Sequence, residues 1–146
     1  MKYDMELVFF SDERNEAFAR MVISAFMTRA NPMMSVISEV RTAVSEAVTN
    51  AIVHAYQGKS DGRIILRASI DQEKLDIEVE DEGCGIEDVE LAMQPFFTTQ
   101  KDGERTGMGF SLMMSFMDRI KVESFPAKGT KVLMTKQVKL EAWDAL

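Results

Sequence analysis

Cysteine is nearly absent from this sequence: Cys84 stands alone among 146 residues. A single thiol closes no internal disulfide, so the expected compartment is the reducing cytoplasm. Long apolar runs are missing too. No stretch approaches the roughly 18 uninterrupted apolar residues of a membrane span, and "MKYDMELVFFSDER" lacks the pattern of a secretion signal. Excess positive charge is also lacking. The net charge is −7 and the pI is about 4.8, with no basic stripe dense enough to neutralise nucleic-acid phosphates. Neither a membrane nor a nucleic acid is therefore expected as a direct partner. Repeats and low-complexity tracts do not occur.

What is present suits one folded domain over residues 1–146, with 46% hydrophobic and 28% charged residues. Twelve methionines fit core filling, with a plastic partner surface as the alternative. "YDMELVFF" has strand character. Ser11 is expected to cap the helix that follows, in which Phe18, Met21, Val22, Ala25 and Phe26 fall at helical spacing; that face is either core or a dimer face. "NPMM" interrupts it. A second helix, from about Pro32 or Ser38 to Tyr56, carries the stripe Val40, Ala43, Val44, Ala47, Val48, Ala51, Ile52 and Ala55. "RIILRASI" and "KLDIEVED" alternate with period two and form an expected hairpin across "DQEK". A short helix is expected over Glu87 to Met93. A firmer one after Gly109 has Phe110, Met113, Met114 and Met117 on one face. Two strands around "PAKG" close the chain. The order predicts an α+β fold: a two-layer sandwich with helices on one face of a mixed, mostly antiparallel sheet.

Polar residues sit where this scheme has little use for them. Glu46 and Asn50 stand four residues apart on the border of the second helix's apolar stripe, so both side chains project into the same space. Asp81 continues the inward parity of Leu75, Ile77 and Val79, where a carboxylate without partners is costly. Gly83 and Gly85 follow at once and permit close approach of the backbone to a flat ligand. "GERTGMGF" places Gly107 and Gly109 just before a helix, where backbone N–H groups and the helix dipole favour phosphate. The polar connection from Pro95 to Met108 is long enough to be a lid or a disordered loop. One explanation covers all of these: an ATP site. Asp81 accepts a hydrogen bond from the adenine amine, and Asn50 gives a carbonyl oxygen to Mg²⁺. Glu46 orients or deprotonates the nucleophile that attacks the γ-phosphate.

These motifs resemble those of the Bergerat-fold (GHKL) ATP-binding superfamily. "EAVTNAIVHA" is similar to its N box, "DEGCGI" to its first glycine box and "GERTGMGFSL" to its second. "KGT" at Lys128 to Thr130 resembles the final motif, whose threonine lies near adenine, and "PFFTT" resembles the approach to the lid. The resemblance spans about residues 36 to 136. It implies that Asp81 holds adenine with help from Thr130 through water, and that Gly83, Gly85, Ile86, Gly107, Met108, Gly109 and Phe110 border the nucleotide with Thr99 and Thr106. Arg105 and Lys101 are the lid's candidate cations, Arg105 being favoured because it adjoins the second glycine box. The lid is short compared with those of larger relatives.

Within the superfamily, the chain has no room for the extra phosphate-binding domain of gyrase-like ATPases. Its one histidine, His54, lies in the N-box helix rather than in a phospho-accepting hairpin, and is expected to be packed or hydrogen-bonded there. The remaining match is the stand-alone serine kinase group of bacterial anti-sigma factors. That resemblance implies sequestration of a sigma factor and ATP-dependent phosphorylation of a serine on an anti-anti-sigma protein. It also implies a homodimer, a part in sporulation transcription, and ATP, ADP and Mg²⁺ as ligands. The rival readings are a nucleotide-gated binding module without kinase activity and a free-standing ATPase fragment.

Overall fold

The computed structural model describes residues 3–94 and 109–138. Strand β1 (Met5–Phe10) leads into helix α1 (Arg14–Met27). Ser11 does not cap that helix. It is buried, its hydroxyl donating to the Lys59 carbonyl and accepting from the Gly62 N–H at 2.9 Å. Two backbone groups of a distant loop claim the hydroxyl, while Asp12 accepts the Arg14 N–H at 2.9 Å and serves the helix start.

Helix α1 also turns a different face inward from the one expected. Ala19, Ile23, Phe26 and Met27 are buried, whereas Phe18 and Met21 are 48% and 68% exposed. Both arcs have helical spacing and share Phe26. The arc holding small Ala19 permits the closer approach to the next helix, and Phe18 and Met21 are left outside.

A 3₁₀ turn (Thr28–Ala30) and left-handed Asn31 end this segment before helix α2 (Met34–Asn50). Here the expected stripe holds as far as Ile52: Val40, Ala43, Val44, Ala47, Val48, Ala51 and Ile52 are buried, while its last member, Ala55, is half-buried. Past Asn50 the helix widens into one π turn, Ala51–Ala55, with the Tyr56 N–H reaching back five residues to Ala51 O at 3.1 Å.

Strands β2 (Arg63–Asp71) and β3 (Lys74–Asp81) form the expected hairpin, with Asp71 paired to Lys74 and Gln72 at φ 58° in the turn. Helix α3 spans only Val89–Ala92, its first turn capped by Asp88, which accepts the Leu91 N–H at 3.0 Å. Helix α4 (Gly109–Phe116) buries Met113, and Met117 is buried just beyond it; Met114 is 42% exposed instead of joining that face. Phe110, Met113 and Met117 already fill the contact with the core, so Met114 lies past its edge. Strands β4 (Arg119–Phe125) and β5 (Gly129–Gln137) complete the described chain.

The sheet order is β1-β2-β3-β5-β4, and each of these described pairings is antiparallel. Helices α1, α2 and α4 share one core with Ile64, Leu66 and Ala68 of β2, Leu75, Ile77 and Val79 of β3, and Val132 and Met134 of β5. The result is the two-layer α+β sandwich expected. The opposite sheet face is charged: Arg67 pairs with Glu78 and lies 2.7 Å from both Glu6 and Glu80. One register row crosses all five strands as Phe9, Ile64, Asp81, Thr130 and Ser124. It starts apolar and ends in a carboxylate and two hydroxyls. Among the described residues, no helix is long and apolar enough to cross a membrane.

Candidate ATP site

Asp81 ends β3 on the inward side and is 8% exposed. Its Oδ1 accepts the Gly83 N–H at 2.9 Å, and the Thr130 backbone N–H also donates to the carboxylate. Burial outweighs these two donors, with the charges of Glu80 and Glu82 acting in the same direction as burial. The carboxyl is pushed up to about 6. Asp81 therefore ionises near neutrality and gains from any ligand that brings it a further donor.

The loop after Asp81 is pressed against the π turn of α2. A Cβ on Gly83 would fall 2.5 Å from the Ala55 carbonyl oxygen, a contact only glycine avoids. The next residue, Cys84, donates its N–H to that same carbonyl at 3.1 Å. Gly85 then takes φ 75°, turning the chain toward the β4–β5 corner, where the Ala127 N–H donates to Cys84 O. The first glycine box is thus fixed on both sides.

The N-box pair lies at the opposite end. Glu46 and Asn50 are half-buried on α2, and the N-terminus of α4 is set against them. A Cβ on Gly109 would stand 3.3 Å from Glu46 Oε2 and from both terminal atoms of the Asn50 carboxamide. Any larger residue there would crowd the two side chains.

Between these ends lies a cavity of about 450 Å³, within the size range of small-molecule sites. Of the residues the sequence singles out, Asn50, Asp81, Gly85, Ile86, Gly109, Phe110 and Thr130 line it. Gly83 and Glu46 adjoin it through Ala55 and Gly109. Thr99, Lys101, Arg105, Thr106, Gly107 and Met108 lie outside the described residues. Among the described residues no lysine or arginine lines the cavity.

Sequence reasoning missed several contributors. Val79, Val132 and Leu91 add apolar wall, a flat-ligand surface that strand parity indicates for the first two. His54 also lines the cavity. Ser124 was overlooked although it shares the inward parity of Ile120 and Val122. Its Oγ lies 2.7 Å from Thr130 Oγ1 and accepts the Ile86 N–H at 2.7 Å. The site therefore has an apolar slot, a buried carboxylate with hydroxyls at one end, and a carboxylate–carboxamide pair beside a helix N-terminus at the other.

The donor set near α4 also suits a cation shared with phosphates. Among the described residues no group of three or more His, Cys, Asp or Glu side chains converges to hold a metal alone. Mg²⁺ bound by one protein oxygen, phosphates and water needs no such cage.

Comparison with known proteins agrees with this geometry. A family model described as the histidine kinase-like ATPase domain matches residues 9–136. The anti-sigma F factor of Caldanaerobacter subterraneus subsp. tengcongensis is 55% identical over 140 residues, covering 94% of this chain and 97% of that protein. The anti-sigma F factor of Halalkalibacterium halodurans is 48% identical over 138 residues, covering 94% of each. Among solved structures, the RsbU and RsbW domains of Rv1364c from Mycobacterium tuberculosis superpose with a TM-score of 0.70 at 18% identity. That match covers 94% of this chain and 33% of the other. The catalytic domain of histidine kinase ThkA superposes at 0.57 and 18% identity, covering 94% and 97%. At such identities these two bear on fold alone. The chain therefore belongs to the histidine kinase-like ATPase domain family, a nucleotide-binding family, in the group whose members are named anti-sigma F factors.

Proposed function

We propose that this protein is an anti-sigma factor that sequesters a sigma factor and, as an ATP-dependent protein-serine kinase, phosphorylates a small anti-anti-sigma protein. In this reading the protein works as a cytoplasmic homodimer controlling sporulation transcription. Similarity to proteins named anti-sigma F factors supports the first activity. The kinase reading is carried by one observation: Glu46 and Asn50 converge on Gly109 at the phosphate end of the cavity. A site used only to hold nucleotide has less need of a carboxylate there.

The roles follow from position. Asp81 takes the adenine amine at the buried end, with Thr130 beside it. Gly83, Gly85 and Ile86 hold the first glycine box against the base and sugar, and Gly109 and Phe110 begin the helix facing the phosphates. Gly107, Met108, Thr99 and Thr106 are assigned to the same phosphate cover, with Arg105 and Lys101 as its cations. Asn50 would hold Mg²⁺ through its carboxamide oxygen, and the ion would supply positive charge to the phosphates. Glu46 accepts the proton of the substrate serine as its Oγ bonds to the γ-phosphorus. The bond from that phosphorus to the β–γ bridging oxygen breaks, and ADP leaves.

The test is γ-labelled ATP with Mg²⁺ and this protein in a cognate cell extract. Label on one small extract protein as acid-stable phosphoserine would support the kinase. Bound nucleotide with no transfer would leave a nucleotide-gated sequestering module.

A further inference from the structure

Lys136 continues the inward parity of Val132 and Met134 on β5 and is buried with them. It pairs in register with Leu75 at the start of β3, whereas Asp81 and the cavity lie at the other end of that strand. A buried ammonium group needs partners. It has two. Its Nζ lies 2.9 Å from Glu39 Oε2 on α2 and donates to the carbonyl of Phe116, the last residue of α4.

Helix α4 reads GFSLMMSF and has no charged residue of its own. Its core contact is made by Phe110, Met113 and, just beyond it, Met117. Thioether side chains adapt to many packings, so they fix a helix poorly along its axis. Lys136 adds a directional contact, a cation at the negative end of the helix dipole. The positive end is set against Glu46 and Asn50, where a Cβ on Gly109 would stand 3.3 Å from either side chain. Glu39 precedes Glu46 by about two turns of α2, roughly 10.5 Å, and α4 is about 12 Å long. Helix α4 therefore lies antiparallel to α2 and is tied to it at both ends.

We propose that Lys136 is a positioning residue: through Glu39 it holds α4 at one axial place along α2 and so sets the first N–H groups of α4 where the nucleotide's phosphates need them. The proposal rests on the reading of the Gly109 end of the cavity as the phosphate end. Backbone donors at a helix N-terminus hold an anion only at hydrogen-bond distance. A helix released at its C-terminus slides between its methionine contacts, and its grip on phosphate weakens. The adenosine part of the nucleotide, held by other elements, does not feel the change.

The experiment measures Kd for ATP and, by competition, for adenosine in one Mg²⁺ buffer, on wild type, Lys136→Met, Lys136→Arg and Glu39→Ala. The ratio of the two constants isolates what the phosphates contribute. In Lys136→Met the advantage of ATP over adenosine should shrink about tenfold, the range of one charge-assisted hydrogen bond, with adenosine affinity within about threefold of wild type. Lys136→Arg keeps the charge and the donors and should restore the advantage. Glu39→Ala, at a partly exposed position, should shrink it by about threefold or more. General loss of stability weakens both ligands alike and leaves the ratio unmoved. An unmoved ratio in Lys136→Met therefore overturns the proposal; if that variant does not fold, an unmoved ratio in Glu39→Ala does so. A wild-type ratio near one, or a wild type that binds no ATP, removes the phosphates from the α4 end, and the proposal falls with that reading.

Discussion

The Cys84 N–H donates to the Ala55 carbonyl across 3.1 Å, tying the first glycine loop to the helix that carries Glu46 and Asn50. The Asp81 end and the Glu46–Asn50 end of the cavity are thus connected through the π turn rather than only through the sheet. An ordinary α-helical ending would present a different carbonyl to that loop.

Gly83→Ala tests this joint. The new Cβ would meet backbone, 2.5 Å from Ala55 O, so the loop or the π turn must shift. We expect a stability loss of about 1–3 kcal/mol, as for overpacking, and ATP affinity weakened by about tenfold or more. Chemical denaturation and calorimetric titration measure the two. Wild-type values for both would mean the loop is not held as described.

Asp81 gives a pH dependence whose sign is fixed. Its carboxyl titrates at about 6 when folded, against 3.8 ordinarily, so the buried neutral form favours the fold. That contribution is complete below about pH 4 and is lost as pH rises through 6, by up to about 3 kcal/mol. Asp81→Asn should remove this pH dependence, leaving the apo protein more stable than wild type at pH 8 while abolishing ATP binding. Adenine binding favours the ionised form, so wild-type affinity should fall as pH drops below about 6. Urea denaturation at pH 5 and 8 decides the first point. An equal stability change in the variant at both values would contradict it.

Lys136 joins three elements. Buried on β5, its Nζ lies 2.9 Å from Glu39 of α2 and donates to the Phe116 carbonyl at the end of α4. Lys136→Met should cost about 1–3 kcal/mol, because a helix-end carbonyl and a carboxylate both lose their donor. Since α4 begins at Gly109 against Glu46, phosphoryl transfer should fall as well. A stability change below about 0.5 kcal/mol, the range of ordinary surface substitutions, would remove Lys136 from this role.

The α2 stripe, the β2–β3 hairpin and the inward aspect of Asp81 were legible in the sequence because each follows from a local period. The apolar arc of α1 was not: two arcs compete in Phe18 to Met27, and only the surface of α2 decides between them. Ser11 looked like a cap because local chemistry allows it, yet the distant Lys59 and Gly62 backbone groups claim it. The convergence of Glu46 and Asn50 on Gly109 was legible as motif. Ser124 was missed because a serine on a strand carries no signal until its register partner, Thr130, is known.

The central claim is that Glu46 removes the proton from a serine hydroxyl at an ATP-loaded cavity. It is tested most directly by pairing ATP Kd with single-turnover transfer to the anti-anti-sigma substrate, for wild type and Glu46→Gln. We expect ATP affinity within about threefold of wild type and transfer slower by about 10² or more. Transfer at the wild-type rate in Glu46→Gln would contradict the account and leave Glu46 a structural neighbour of Gly109.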